Sequence, residues 1–242
     1  MTKKLTGTKM CAAVIIITVL LFAVQYLSSR VGWLAADLFD FSAIDKDGLF
    51  AAVAVHHVVQ LLCALAVIML LHKFGVSGFK LRPAHDAKGV RYTLIFCLIL
   101  LVYYIATYII GGYLHSINTY GYELTRANVA GTLGFQLFLS GPSEEVLFRS
   151  IPITLLLYVM DPDDKKHRIT AVVITAFLFG LGHISIMTFS VPWFQVCYAF
   201  VLGLAYGFVL LKSNSVIYPM IMHSMSNVIS VGGCYLYMLL VK

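Results

Sequence analysis

The sequence has few charged residues for its length. Asp, Glu, Lys and Arg make up 12% of its 242 residues, whereas soluble domains contain roughly 25%. Hydrophobic residues make up 60%, and the mean hydropathy is +0.90. Such a composition excludes an ordinary soluble globular domain and indicates an integral membrane protein.

The sequence also lacks the cysteine and histidine spacings of common structural and metal sites. Its five cysteines lie far apart in apolar segments without a CxxC pair, so we expect neither a disulfide framework nor a cysteine metal site. No HExxH motif is present, and the His56-His57 pair has no acidic residue following it at the spacing of such a motif. The common zinc-protease signature is therefore absent.

Seven apolar segments are candidate membrane spans, because a spanning helix needs about 20 apolar residues. They lie at roughly 11–28, 49–71, 91–114, 129–159, 169–187, 192–211 and 216–240. We therefore predict an all-α, polytopic transmembrane helical bundle of about seven spans. The fourth segment is too long for one straight span and contains Gly141-Pro142. Since proline removes a backbone hydrogen bond, we predict that this span is broken there and that a second helix begins near Pro142.

The distribution of basic residues predicts the orientation of the chain in the membrane. With seven spans and a cytoplasmic N-terminus, most basic residues lie inside: Lys3, Lys4, Lys9, Lys73, Lys80, Arg82, Lys88, Arg91, Lys165, Lys166, Arg168 and Lys212. Few lie outside: Arg30, Lys46, Arg126 and Lys242. The basic excess is explained by topology and by anionic lipid, so we expect membrane lipid as a partner and no nucleic acid. We interpret the first segment as an uncleaved span, because no clear signal-peptide cleavage site follows it.

Two adjacent glutamates lie inside the fourth apolar segment. A charge at the bilayer centre costs about 2.5–3.5 kcal/mol on insertion scales, so ionisable groups there are functional candidates. Glu145 and Arg149 are four residues apart and are neighbours on one helix face, where an ion pair would lower this cost. Glu144 points about 100° away and lacks that partner. We predict a structural role for Glu145 and proton chemistry for Glu144; the alternative is that both are structural.

Two later spans each carry a polar residue pair at helical spacing. Phe179 and His183 share one face, and so do His223 and Asn227. Each histidine alone could be a packing residue or an interhelical hydrogen-bond partner. Together with Glu144, the set suits hydrolysis, because a glutamate can act as general base and amide or imidazole groups can donate to an oxyanion. Glu144, His183 and His223 could instead hold a catalytic zinc ion.

The ordered motifs EExxxR, FxxxH and HxxxN on three membrane helices resemble the CPBP family, which comprises CAAX prenyl proteases and their bacterial bacteriocin-processing or abortive-infection-like relatives. The resemblance covers about 141–230 and implies an intramembrane endopeptidase in a bacterial cell membrane. It implies that Glu144 activates water, that His183 helps to position it, and that His223 and Asn227 form the oxyanion site. Glu145, Arg149 and Phe179 would support this geometry.

Other properties remain open at the level of sequence. We expect no cofactor, because asparagine is a poor zinc ligand and a good oxyanion donor, with zinc held by Glu144, His183 and His223 as the alternative. The substrate is a membrane-associated protein or peptide, with or without a lipid group. We assign three spans in residues 1–128 to an N-terminal region and residues 129–242 to the catalytic core. A transporter, channel or non-catalytic immunity scaffold remains a competing interpretation, although no inverted repeat is visible.

Overall fold

The computed structural model describes residues 7–82, 86–184 and 191–241, and the regular secondary structure within these residues is all helical. The α-helices are α1 (Thr8–Ala36), α2 (Ala51–Lys73), α3 (Ala87–Tyr113), α4 (Arg126–Phe135), α5 (Gly141–Glu145), α6 (Ile151–Val159), α7 (Lys165–Leu181), α8 (Trp193–Ser213) and α9 (Ile217–Val241). Two π-helical turns, π1 (Gln136–Ser140) and π2 (Val146–Ser150), join α4, α5 and α6. The predicted all-α class is confirmed.

Five of the described helices are long and apolar enough to cross a membrane, namely α1, α2, α3, α8 and α9. They correspond to five of the seven predicted spans. The first is longer than predicted, since α1 ends at Ala36 rather than near residue 28. The predicted fifth span, 169–187, is represented by the 17-residue helix α7, which ends at Leu181; residues 185–187 of that prediction lie outside the described residues.

The fourth predicted span is not broken at Gly141-Pro142 in the way that the sequence suggested. Gly141 keeps helical dihedral angles, with φ −58° and ψ −55°, and α5 continues directly from π1. The irregularity takes the form of the two π-helical turns on either side of α5. A π turn adds a residue to a turn of helix and is frequent at functional sites. Here the two turns can absorb the local cost of Pro142 without ending the helix.

The short helix α5 packs against two of the long helices. It contacts α2 on one side and α9 on another, while α7 pairs with α8, α1 with α2 and α3 with α9. A Cβ atom on Gly141 would lie 2.4 Å from the Met220 carbonyl oxygen, so only glycine permits this approach of α5 to α9. Gly180 similarly allows α7 to approach α8, since a Cβ there would lie 2.9 Å from the Val196 carbonyl oxygen.

The loop between α1 and α2 is organised by a buried aspartate. The Asp45 carboxylate accepts hydrogen bonds from the backbone N–H groups of Leu49, Phe50 and Ala51 at 2.7–2.8 Å. Burial raises the pKa of Asp45, but these hydrogen bonds together outweigh it and hold the pKa below its ordinary value. Asp45 therefore satisfies the first free N–H groups of α2 and fixes the start of the helix that carries His56 and His57.

Candidate active site

Glu145 is the centre of a fully buried network. Its side chain and that of Arg149 are 0% exposed, and Arg149 Nε lies 3.3 Å from Glu145 Oε2. The ion pair expected from the four-residue spacing is therefore present. The other carboxylate oxygen, Oε1, lies 2.8 Å from Nδ1 of His223 on α9. Glu145 thus links α5 to π2 and to α9.

Arg149 depends on Glu145 and on aromatic rings for its stabilisation. Its guanidinium carbon lies 3.9 Å from the centre of the Phe179 ring and 5.4 Å from that of Tyr206. Within the described residues its guanidinium nitrogens have no hydrogen-bond partner. Cation–π contacts of a desolvated arginine contribute about 2 kcal/mol, which is less than the cost of burying the charge. The Glu145 carboxylate is therefore the main group that balances the Arg149 charge.

Glu144 has a different environment from its neighbour. Its side chain is 21% exposed, and its two oxygens face two imidazole rings. Oε2 lies 3.9 Å from Nε2 of His223, and Oε1 lies 4.0 Å from Nε2 of His57. These separations are too long for direct hydrogen bonds. Glu144 is therefore the accessible carboxylate of the pair.

His183 lies just beyond the helix on which it was predicted. The helix α7 ends at Leu181, and His183 occupies the turn that follows. Its Nδ1 lies 2.9 Å from the Phe179 carbonyl oxygen, which can only accept, so Nδ1 carries the hydrogen and Nε2 is the free acceptor of the neutral ring. The Phe179 ring contacts both His183 (4.9 Å between centroids) and His223 (5.7 Å) edge-on. Phe179 therefore packs against both imidazoles and against the Arg149 guanidinium.

The His223 ring is fixed on both sides. It stacks on Tyr206 with 5.4 Å between centroids and an interplanar angle of 15°, and the Tyr206 hydroxyl lies 3.0 Å from Ser226 Oγ. Because the Glu145 carboxylate accepts a hydrogen bond, His223 Nδ1 carries a hydrogen. Its Nε2 therefore faces Glu144 as an acceptor in the neutral ring and as a donor in the imidazolium.

Asn227 lies one helical turn beyond His223 but contacts a different part of the site. Its Nδ2 donates to Gln136 Oε1 at 2.9 Å and to Ser140 Oγ at 3.0 Å. Both N–H groups of the amide are thus used within the protein. Asn227 joins α9 to the π1 turn, and an oxyanion would have to replace one of these two partners.

The sequence did not assign His57 to the site. It lies on α2, 8% exposed, and its Nδ1 is 2.7 Å from Ser143 Oγ on α5. His57 stands 86 residues before Ser143 along the chain, so no spacing rule connects it to Glu144. The sequence offered one signal, a histidine inside an apolar span. Placing an ionisable side chain inside a membrane is energetically costly, so such a residue is a functional candidate.

The residues do not form a metal site as they are placed. In the described part of the chain no group of three or more His, Cys, Asp or Glu side chains could hold a metal ion. Two ligands about 2 Å from a tetrahedral zinc ion are roughly 3.3 Å apart, whereas His223 Nε2 and Glu144 Oε2 are 3.9 Å apart. The alternative ligand set of Glu144, His183 and His223 would therefore have to contract around the ion.

One comparison with known proteins found a match. Residues 126–229 match the family model described as type II CAAX prenyl endopeptidase Rce1-like. Neither the search of curated proteins nor that of solved structures found a match. The matched residues include all the predicted site residues and exclude His57 and the three N-terminal helices. Over this segment the chain is similar to type II CAAX prenyl endopeptidases, which supports the resemblance of its EExxxR, FxxxH and HxxxN motifs to the CPBP family.

Proposed function

We propose that this protein is an intramembrane endopeptidase in which Glu144 activates the water that attacks a peptide bond. The observation that carries the proposal is the difference between the two adjacent carboxylates. Glu145 is fully buried and paired, while Glu144 is partly exposed and faces two imidazole nitrogens across gaps of about 4 Å. A gap of this size accommodates a water molecule that bonds to both sides. A general base must reach the proton that it removes in this way.

The proposed reaction needs one proton transfer in each direction. Glu144 takes a proton from water, and the water oxygen attacks the carbonyl carbon of the scissile bond. The resulting tetrahedral intermediate carries a negative oxygen. When the C–N bond breaks, the proton on Glu144 passes to the leaving amine. General acid–base catalysis of this kind contributes about 10²–10⁴-fold.

The oxyanion requires hydrogen-bond donors near the attacked carbonyl, and His223 and Asn227 are our candidates. His223 Nε2 donates only as an imidazolium, because Glu145 holds its Nδ1 hydrogen. In that form the charges of Glu144, Glu145, Arg149 and His223 sum to zero, which favours a buried cluster. Asn227 contributes by exchanging Gln136 or Ser140 for the substrate oxygen. His183, whose Nδ1 is bonded to the Phe179 carbonyl oxygen, is our candidate for a group that helps to position the attacking water.

The substrate class follows from the surroundings of the site. Glu144 lies among helices whose outer surfaces are apolar, so a membrane-associated protein or peptide, with or without a lipid group, is the substrate that we propose. The distribution of basic residues supports a cytoplasmic N-terminus. We propose that the reaction needs no metal ion, since the carboxylate and imidazoles are spaced for water.

The decisive experiment replaces Glu144 by glutamine. Glu144→Gln keeps the volume of the side chain but cannot accept a proton from water. We expect purified Glu144→Gln protein to lose at least 100-fold in the cleavage of a membrane-anchored peptide library, with an unchanged melting temperature. The matched control is Glu123→Gln, the same change at an exposed loop position, which should keep full activity. Glu144→Gln activity within threefold of wild type would refute the assignment and favour a scaffold or transporter.

A further inference from the structure

His57 is held in a defined orientation beside Glu144. Its ring contacts Phe135 edge-on at 5.0 Å between centroids and His56 at 5.2 Å. Its Nδ1 is 2.7 Å from Ser143 Oγ. Packing and this hydrogen bond fix the ring so that Nε2 is directed at Glu144 Oε1, 4.0 Å away. An imidazole fixed by its far nitrogen is the usual arrangement of a functional histidine.

The hydrogen-bond chain behind His57 determines which nitrogen carries the hydrogen. The Ser143 hydroxyl donates to the Ser140 carbonyl oxygen at 3.1 Å. A hydroxyl has one hydrogen, so Ser143 Oγ accepts from His57 Nδ1. The Nε2 atom of the neutral ring is then an acceptor, like the Glu144 oxygen that it faces. Two acceptors 4.0 Å apart require a donor between them, and one water molecule supplies two hydrogens, one for each.

We propose that His57 is a further residue of the catalytic site and binds the attacking water through Nε2. This inference rests on the proposed function. The water donates one hydrogen to His57 Nε2 and the other to Glu144 Oε1, which leaves an oxygen lone pair for the carbonyl carbon. Glu144 takes the proton that moves, and His57 neither gains nor loses one. The α2 helix, outside the family segment 126–229, thus completes the site.

Two substitutions at position 57 separate this role from a structural one. Asparagine places its amide near the position of Nδ1, so His57→Asn can keep the contact with Ser143 and removes the group that faces Glu144. Glutamine reaches the position of Nε2, so His57→Gln keeps a polar group beside Glu144. We expect His57→Asn to lower kcat about 100-fold with KM within threefold, because misplacing a reacting group costs about this much. His57→Gln should stay within tenfold of wild type.

An exposed histidine on the same helix provides the matched control. His72 lies near the C-terminal end of α2 and is exposed. His72→Asn should keep kcat within threefold. If His57 only anchors Ser143, His57→Asn will be the more active of the two position-57 variants, and the inference is wrong. Wild-type activity in both variants would also overturn it.

Failure of the inference can be told apart from failure of the proposed function. If wild type cleaves and Glu144→Gln does not, while both His57 variants cleave normally, only the role of His57 is wrong. If wild type and Glu144→Gln cleave equally, the proposed function itself is wrong. Should a His57 variant not fold, ¹⁵N-histidine NMR of the Glu144→Gln protein decides. The His57 Nε2 resonance should move and that of exposed His72 should not; an unmoved His57 resonance refutes the contact.

Discussion

The buried pair of Glu145 and Arg149 allows a quantitative test of how the site is held together. Removing one partner of a buried ion pair costs about 3–5 kcal/mol, because the other charge remains without compensation. Glu145→Gln removes the carboxylate paired with Arg149 and leaves the guanidinium against the rings of Phe179 and Tyr206, so we expect a loss of about 4 kcal/mol. Arg149→Leu leaves Glu145 bonded to His223, so we expect about 3 kcal/mol.

The double variant should be far less damaged than the sum of the two single changes. In Glu145→Gln/Arg149→Leu no charge is stranded, and the glutamine oxygen can still accept from His223 Nδ1. We expect a total loss of about 4 kcal/mol against a sum of about 7 kcal/mol. The resulting coupling of about 3 kcal/mol is at the upper end for residues in contact. Activity should fall in all three variants, because His223 loses its fixed orientation or its charge balance.

The measurement is reversible unfolding of the purified protein in mixed detergent and dodecyl sulfate micelles, followed by circular dichroism. Glu123→Gln, Arg126→Leu and their combination form the matched control, since both positions are exposed. Each should change the free energy of unfolding by less than about 0.5 kcal/mol. Strict additivity at positions 145 and 149 would show that the two side chains do not interact and would refute this account of the network.

Two further predictions concern the oxyanion site and the metal. Asn227→Ala should lower kcat about 10²–10³-fold with little change in KM, as expected for a donor used in the transition state; Gln136→Leu, which removes a partner of Asn227, should leave kcat within tenfold. Equal losses of kcat and stability in both variants would instead show that Asn227 only joins α9 to π1. Protein stripped with chelator and assayed in metal-free buffer should keep its activity and contain well under one zinc per chain. Loss of activity that one equivalent of zinc restores would make His183 and His223 ligands.

Some parts of this structure follow from local sequence spacing. The apolar segments predicted the long helices, because hydrophobic length is set by the membrane itself. The pair Glu145 and Arg149 could be predicted because both residues lie on one helical stretch, where four-residue spacing fixes their proximity. The inequality of Glu144 and Glu145 followed from the same geometry. Each of these inferences needs only the period of one helix.

Other parts depend on contacts between helices, which spacing does not encode. The π turns around α5 keep Pro142 inside a continuous helical path, and a rule for proline in a regular helix predicts a break instead. The partners of Asn227 lie 87 and 91 residues away on π1. The prediction that Asn227 shares a face of α9 with His223 needs only the helical period. Whether the Asn227 amide contacts a substrate or another part of the protein depends on how α9 packs against π1.

His57 shows why the site extends beyond the segment that carries the family motifs. A carboxylate kept free for proton transfer in a membrane needs polar neighbours that do not neutralise it by direct pairing. Glu144 has such neighbours on two sides, His223 from α9 and His57 from α2, each at about 4 Å. Without His57, the Oε1 oxygen of Glu144 would lose the imidazole that it faces. The arrangement therefore requires α2 to pack on α5, so the N-terminal helices contribute to the chemistry that we propose as well as to the fold.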